Sequence, residues 1–194
     1  MKIFTCVTIA MAFPAVLAAR QPAPAPVANP ITAAFKARIT AMHRNIAQAF
    51  DSIPEGKFGY KPTPAQLSIG FIAQHVASDD YLFCDQFGAK KSSLPEKDTA
   101  TPDSVKATWP KDTLVAKLKA SFAFCQDAIG QLEDGKLADQ VTLTFRGQSR
   151  EVPRINMVLG HALDLADHYS QLANYMRLNG MIPPSALPRP RPGS

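Results

Sequence analysis

The chain lacks most of the motifs that announce a function directly. It has no Gly-x-Ser-x-Gly turn, no Cys-x-x-Cys pair and no glycine-rich phosphate loop, so the common serine-hydrolase, dithiol and nucleotide-binding signatures are missing. It has no internal repeat and no long run of one charge. Its 21 Lys and Arg against 16 Asp and Glu give a formal net charge of +5. These cations are scattered, so nucleic acid is not implied as a partner. Beyond the first residues, no stretch is apolar enough to span a membrane. Cysteine is scarce: of three in the chain, Cys6 lies in the leader and only Cys84 and Cys125 lie beyond it.

The leader itself is informative. Met1-Lys2 is a short positive start, and Ile3–Leu17 is an apolar run broken only by Thr5, Thr8 and Pro14. Small residues follow at Ala18 and Ala19. Residues 1–19 therefore read as a secretory signal peptide, the run being shorter than the roughly 18 to 20 apolar residues of a spanning helix. The expectation is an exported protein of the periplasm or extracellular space, without stable membrane insertion after cleavage. Residues 20–30, rich in Pro and Ala, read as an extended tether. Residues 31–182 form one domain, long enough for a real core, and residues 183–194 a Pro- and Arg-rich disordered tail. In an oxidising compartment, Cys84 and Cys125 are candidates for a disulfide; two separately buried thiols are the alternative.

Hydrophobic spacing predicts four long helices. Phe35, Ile39, Met42, Ile46, Ala49, Phe50 and Ile53 recur at intervals of three and four over Pro30–Ser52. His43 sits at the edge of that stripe, open to core or solvent. Residues 53–64 carry three prolines and two glycines, which exclude regular helix, and Phe58 and Tyr60 are expected to pin this connection to the bundle. The second helix starts with Ser68 as N-cap and ends before Gly88; Phe71, Ile72, His75, Asp79 and Leu82 share a face. Ala89–Lys111, polar and interrupted by Pro95, Pro102 and Pro110, reads as a loop that ends near Trp109. Leu114, Leu118, Ser121, Phe122, Cys125, Ile129 and Leu132 mark the third helix, and Glu133-Asp134 its solvated end. Val141–Val152 alternates around a glycine and reads as a short hairpin or extended crossing. The fourth helix follows Pro153, carries Ile155, Val158, Leu159, Ala162, Leu165, Tyr169, Leu172 and Met176 inward, and ends at Asn179-Gly180. The fold class is all-α: a four-helix bundle with one small β element.

The chemistry concentrates on the last helix. Residues three, four and seven apart share a face, so His161, Asp164 and His168 form one stripe. His75, on a facing helix, completes a candidate set. His75, Asp164 and His168 offer two imidazoles and a carboxylate to a divalent metal, with open positions for water or substrate. His161 is either a substitute ligand or a neighbour in the pocket. Asp79 and His161 are the candidates for handling protons beside the metal. Against this stands the plain alternative that these histidines are hydrogen-bonded core residues and that Asp164 and Asp167 face solvent.

Three stretches resemble a known family. Ile53–Pro64 is similar to a loop of the DinB/YfiT superfamily, and Ser68–Ala77 is similar to that family's first metal-histidine helix. Asp167–Gly180, followed by Pro183-Pro184, resembles the ending of an exported branch. Together they cover about residues 31–184. The resemblance implies an up-down bundle whose three histidines bind a divalent metal, most often zinc or nickel. His75 and His168 fall on two of those positions; the third, four residues before His168, is Asp164 here, a departure that alters or weakens the site. It further implies a metal-dependent enzyme acting on a small molecule, with hydrolysis preferred over thiol S-transfer because an exported protein lies away from cytosolic thiols. The competing expectation is a non-catalytic bundle that binds a metal or ligand, or whose site is lost. A homodimer is left open.

Overall fold

The computed structural model describes residues 27–89, 91–145 and 147–188. The signal peptide, most of the tether and the end of the tail lie outside the described residues. Four long helices, α1 (Pro30–Ser52), α2 (Ile69–Cys84), α5 (Lys111–Gly130) and α6 (Arg154–Leu178), form the bundle. Two short helices, α3 (Glu96–Ala100) and α4 (Asp103–Lys106), lie between α2 and α5. An antiparallel hairpin, β1 (Gln140–Phe145) and β2 (Gln148–Pro153), precedes α6. Among the long helices, α1 and α2 each pack against both α5 and α6. The apolar stripes predicted from spacing meet at the centre, where Ile39, Ile46, Phe50, Ile72, Leu118, Leu165 and Leu172 are fully or almost fully buried. Leu159 departs from this, being 46% exposed one position off the inner stripe. On α2 the core face is Ile69, Ile72, Ala73, Val76, Ala77 and Cys84, so that of the predicted face only Ile72 is buried, while Phe71, His75, Asp79 and Leu82 are partly exposed.

Side chains set the helix starts. Ser68 Oγ accepts a hydrogen bond from Phe71 N (3.1 Å) and caps α2, as the sequence predicts. At α1 the cap is remote. The Asp134 carboxylate accepts from Ile31 N (3.0 Å) and Thr32 N (2.8 Å), while Asn29 Oδ1 accepts from Asp134 N (3.0 Å). Asp134, expected as part of a solvated helix end, instead closes the first turn of α1 and ties it to the end of α5.

The predicted loop over residues 89–111 is corrected. It contains α3 and α4, each beginning directly after a proline, Pro95 and Pro102. Proline forbids helix through itself but suits a helix start, and Glu96, Asp98 and Asp103 place negative charge in the first turns. This segment approaches α2 closely at Gly70, where a Cβ would lie 2.3 Å from the Ala107 carbonyl oxygen.

The hairpin pairs Val141 with Val152, both buried, and turns at Gly147 in the left-handed region (φ 75°). Cys84 and Cys125 are bonded, with Cα atoms 5.2 Å apart, joining α2 to α5. The expected tail is partly structured: Pro184–Ala186 forms a 3-10 turn, and Ser185 N donates to Tyr169 Oη (2.8 Å). Phe58 is buried and Tyr60 meets Tyr175 edge-on (ring centroids 6.0 Å), so the 53–68 connection is pinned as expected. Among the described residues no helix is long and apolar enough to cross a membrane.

Candidate metal centre

Two helices bring four ligand-type side chains together. α2 presents His75 and Asp79, and α6 presents Asp164 and His168, each pair four residues apart on one helix face. One donor atom from each of the four lies within 4.8 Å of the others. The His75 and His168 rings meet edge-on with centroids 4.8 Å apart. His75 Nε2 is 3.3 Å from Asp79 Oδ2, and His168 Nε2 is 3.3 Å from Asp164 Oδ1. Close packing of α6 on α2 puts them in reach: a Cβ on Gly160 would lie 3.0 Å from Phe83 Cε1. The side chains of His75, Asp79 and Asp164 are partly exposed, at 32%, 21% and 20%. The group therefore opens to solvent on one side, and His168 closes its floor.

The local field is set by two carboxylates and two imidazoles packed together. Burial raises the Asp79 pKa to about 7, and the Asp164 carboxylate adds to the rise. Burial also lowers the His75 pKa, helped by His168. For His168, burial acts downward but is outweighed by the hydrogen bond and charge of Asp164, so its pKa is raised. His75 thus presents a neutral imidazole lone pair, and two carboxylates crowd each other beside it. Asp164 Oδ2 and His168 Nδ1 are buried without a hydrogen-bond partner. Mixed imidazole nitrogen and carboxylate oxygen donors suit zinc and neighbouring divalent transition metals. The residues present therefore fit a divalent ion.

The sequence-predicted trio of His75, Asp164 and His168 lies in this group. Asp79, expected as a neighbour handling protons, is a fourth donor of equal standing; its spacing from His75 mirrors that of Asp164 from His168, a symmetry readable from the sequence. His161 is elsewhere, which corrects its placement in the pocket. It points the same way as His168 but two turns earlier, and that displacement along the axis puts it in another layer of the bundle.

That layer holds a second cluster of His43, Asp80, His161 and the disulfide. Asp80 is wholly buried. Its Oδ1 accepts from His161 Nε2 (2.8 Å) and lies 3.3 Å from His43 Nε2; its Oδ2 accepts from Ser121 Oγ (2.8 Å). Burial works to raise the Asp80 pKa, but hydrogen bonds from His161 and His43 prevail and hold it below the usual value. His43 stacks on Phe122 with ring centroids 4.1 Å apart, and its Nδ1 is 3.0 Å from Gln126 Nε2. The sulfurs, 3.9 and 4.0 Å from His161 Nε2, are tied to each other and are not thiolates. With both imidazole Nε2 atoms turned to Asp80, this cluster is a buried polar network in the core, in which His161 Nδ1 alone among the ring nitrogens has no hydrogen-bond partner.

Comparison with known proteins follows the same lines. A family model described as the DinB superfamily matches residues 38–172. A DinB-like protein from Bacillus cereus ATCC 10987 has a similar structure, with TM-score 0.58 and 17% identity over 77% of this chain and 93% of that one. A conserved protein from Enterococcus faecalis matches with TM-score 0.56 and 16% identity over 76% of this chain and 96% of that one. A mycothiol-dependent maleylpyruvate isomerase matches with TM-score 0.57 and 15% identity over 73% of this chain. The match spans only 60% of the isomerase. At these identities the likeness is one of fold. No protein of curated function matches the sequence.

Proposed function

The chain belongs to the DinB superfamily, and from that premise we propose that it is an exported metal-dependent enzyme, acting by hydrolysis on a small molecule. The observation that carries this reading is the convergence of His75, Asp79, Asp164 and His168 at a partly open edge of the bundle. His75, Asp164 and His168 would hold the ion, zinc or nickel by donor type. An ion held by these residues would supply Lewis-acid chemistry, lowering the pKa of a bound water or thiol. Asp79, four residues from His75 on the same face of α2, would be the carboxylate that accepts a proton beside the ion. Asp164 Oδ1 and His168 Nε2, 3.3 Å apart, face each other and would be drawn to the same ion. The apolar leader at residues 3–17 supports export, and the Cys84–Cys125 bridge suits an oxidising compartment.

One observation favours a second reading, thiol transfer. The similar isomerase is described as mycothiol-dependent, and in this chain an ion held by His75, Asp164 and His168 would equally activate a thiol. A panel separates the two. The zinc- or nickel-loaded protein is offered chromogenic esters and amides, and separately a low-molecular-weight thiol with an electrophilic acceptor. Turnover of an ester or amide that is lost in His168→Ala, with helical circular dichroism retained, is expected. Turnover only with thiol present selects the second reading. Bound metal with no turnover in either arm leaves a non-catalytic metal-binding bundle.

A further inference from the structure

A cleft of about 540 Å³ lies beside the candidate metal centre, walled by α2, the α3–α4 segment and α5. It opens on a different face of α2 from His75 and Asp79: Gln74, Ala77, Ser78 and Tyr81 line it. Gln74 is only 4% exposed, and both its Oε1 and its Nε2 lack a hydrogen-bond partner. A buried primary amide with neither donor nor acceptor satisfied is costly, and native proteins rarely leave one so. Here the amide lies in the wall of a cavity large enough for a small organic molecule.

The rest of the lining narrows the ligand. Leu94, Leu114 and Trp109 give it an apolar body. Its two cations are both engaged: Lys106 pairs with Asp103 (2.7 Å), and Lys117 pairs with Asp98 and stands 5.1 Å over the Trp109 ring. The fixed charges cancel in pairs, so the cleft offers no unpaired charge to an ionic ligand. The one unmet demand is an adjacent acceptor and donor, the complement of Gln74.

We propose that this cleft binds a small neutral molecule with an apolar or aromatic body and a carboxamide or lactam edge, which pairs with the Gln74 amide. The inference stands independently of the metal reading, because no metal-ligand candidate lines the cleft.

Trp109, the single tryptophan of the chain, lines the cleft and serves as the reporter. The test titrates metal-free full-length mature protein with benzamide, benzoate and toluene while following tryptophan fluorescence, beside Gln74→Leu and Gln74→Glu. Saturable binding of benzamide, at least about tenfold weaker for benzoate and toluene and about tenfold weaker in Gln74→Leu, is expected from losing a paired polar contact. Gln74→Glu keeps the shape and one acceptor, and should also weaken benzamide. Equal benzamide affinity in Gln74→Leu, with the thermal transition of the variant intact, overturns the proposal, as does the absence of saturable binding in wild type. Metal content measured on the same preparation keeps either failure separate from failure of the metal centre.

Discussion

His75 and His168 differ in protonation preference before any ion arrives, and the difference comes from their neighbours. His75 is pushed toward the neutral form by burial and by His168, whereas for His168 the downward effect of burial is outweighed by the hydrogen bond and charge of Asp164, which favour the protonated form. Asp79 carries the largest consequence. Its pKa is raised from 3.8 to about 7, so the folded protein prefers the protonated form. The cost of ionising it is absent below pH 3.8, grows as pH rises, and is complete above about pH 7. Asp79→Asn is therefore predicted to stabilise the metal-free protein at pH 8 by on the order of 2 kcal/mol, and hardly at all near pH 4. Thermal melts at the two pH values check this; an equal gain at both would contradict it. At this scale the sequence was partly legible. The His75–Asp79 and Asp164–His168 pairs are readable from their spacing, but the partition of histidines between two layers is not. His161 and His168 share a face, and only the axial positions of the partner helices decide that one meets Asp80 and the other His75. Asp80 itself was findable: it occupies the apolar stripe Ile69, Ile72, Ala73, Val76, Ala77, Cys84, where a charge needs partners.

Among the elements, the long helices follow from apolar spacing and from Ser68, while the ends depend on distant residues. The first turn of α1 is closed by Asp134, more than a hundred positions away in sequence. Its carboxyl group is opposed by burial but held below the ordinary pKa by hydrogen bonds from Thr32 and Ile31. Nothing in the local sequence of α1 announces that cap. Asp134→Ala is predicted to lower stability, as the loss of a helix cap does. Urea unfolding measures it, and hydrogen exchange should show the Ile31 and Thr32 amides losing protection. Unchanged stability with unchanged exchange would show that the cap is idle. The α3–α4 segment was illegible for another reason. Its prolines end the preceding structure and also begin each short helix, so local signals for a break and a start coincide.

At the scale of the whole molecule, the bundle class and the hairpin were legible because periodicity survives without tertiary information, and the family through the resemblance carried by Ile53–Pro64, Ser68–Ala77 and Asp167–Gly180. The Cys84–Cys125 bridge was one of two open alternatives, since its formation depends on how α2 and α5 pack. Closing 41 residues of sequence, the bridge should contribute roughly 4 kcal/mol by restricting the unfolded chain. A phosphine reductant is then predicted to lower the melting temperature by roughly 8–16 °C, with no effect on a Cys84→Ala/Cys125→Ala variant; melting that ignores reductant in both proteins would contradict a stabilising bridge. The central claim remains that α2 and α6 together hold a divalent ion. The most direct test is elemental mass spectrometry on mature protein purified without chelator or nickel resin, then offered zinc or nickel, beside His75→Ala and His168→Ala. The account predicts near-stoichiometric metal in wild type and its loss in both variants. No metal in wild type after loading, or metal retained undiminished when either histidine is removed, would contradict it.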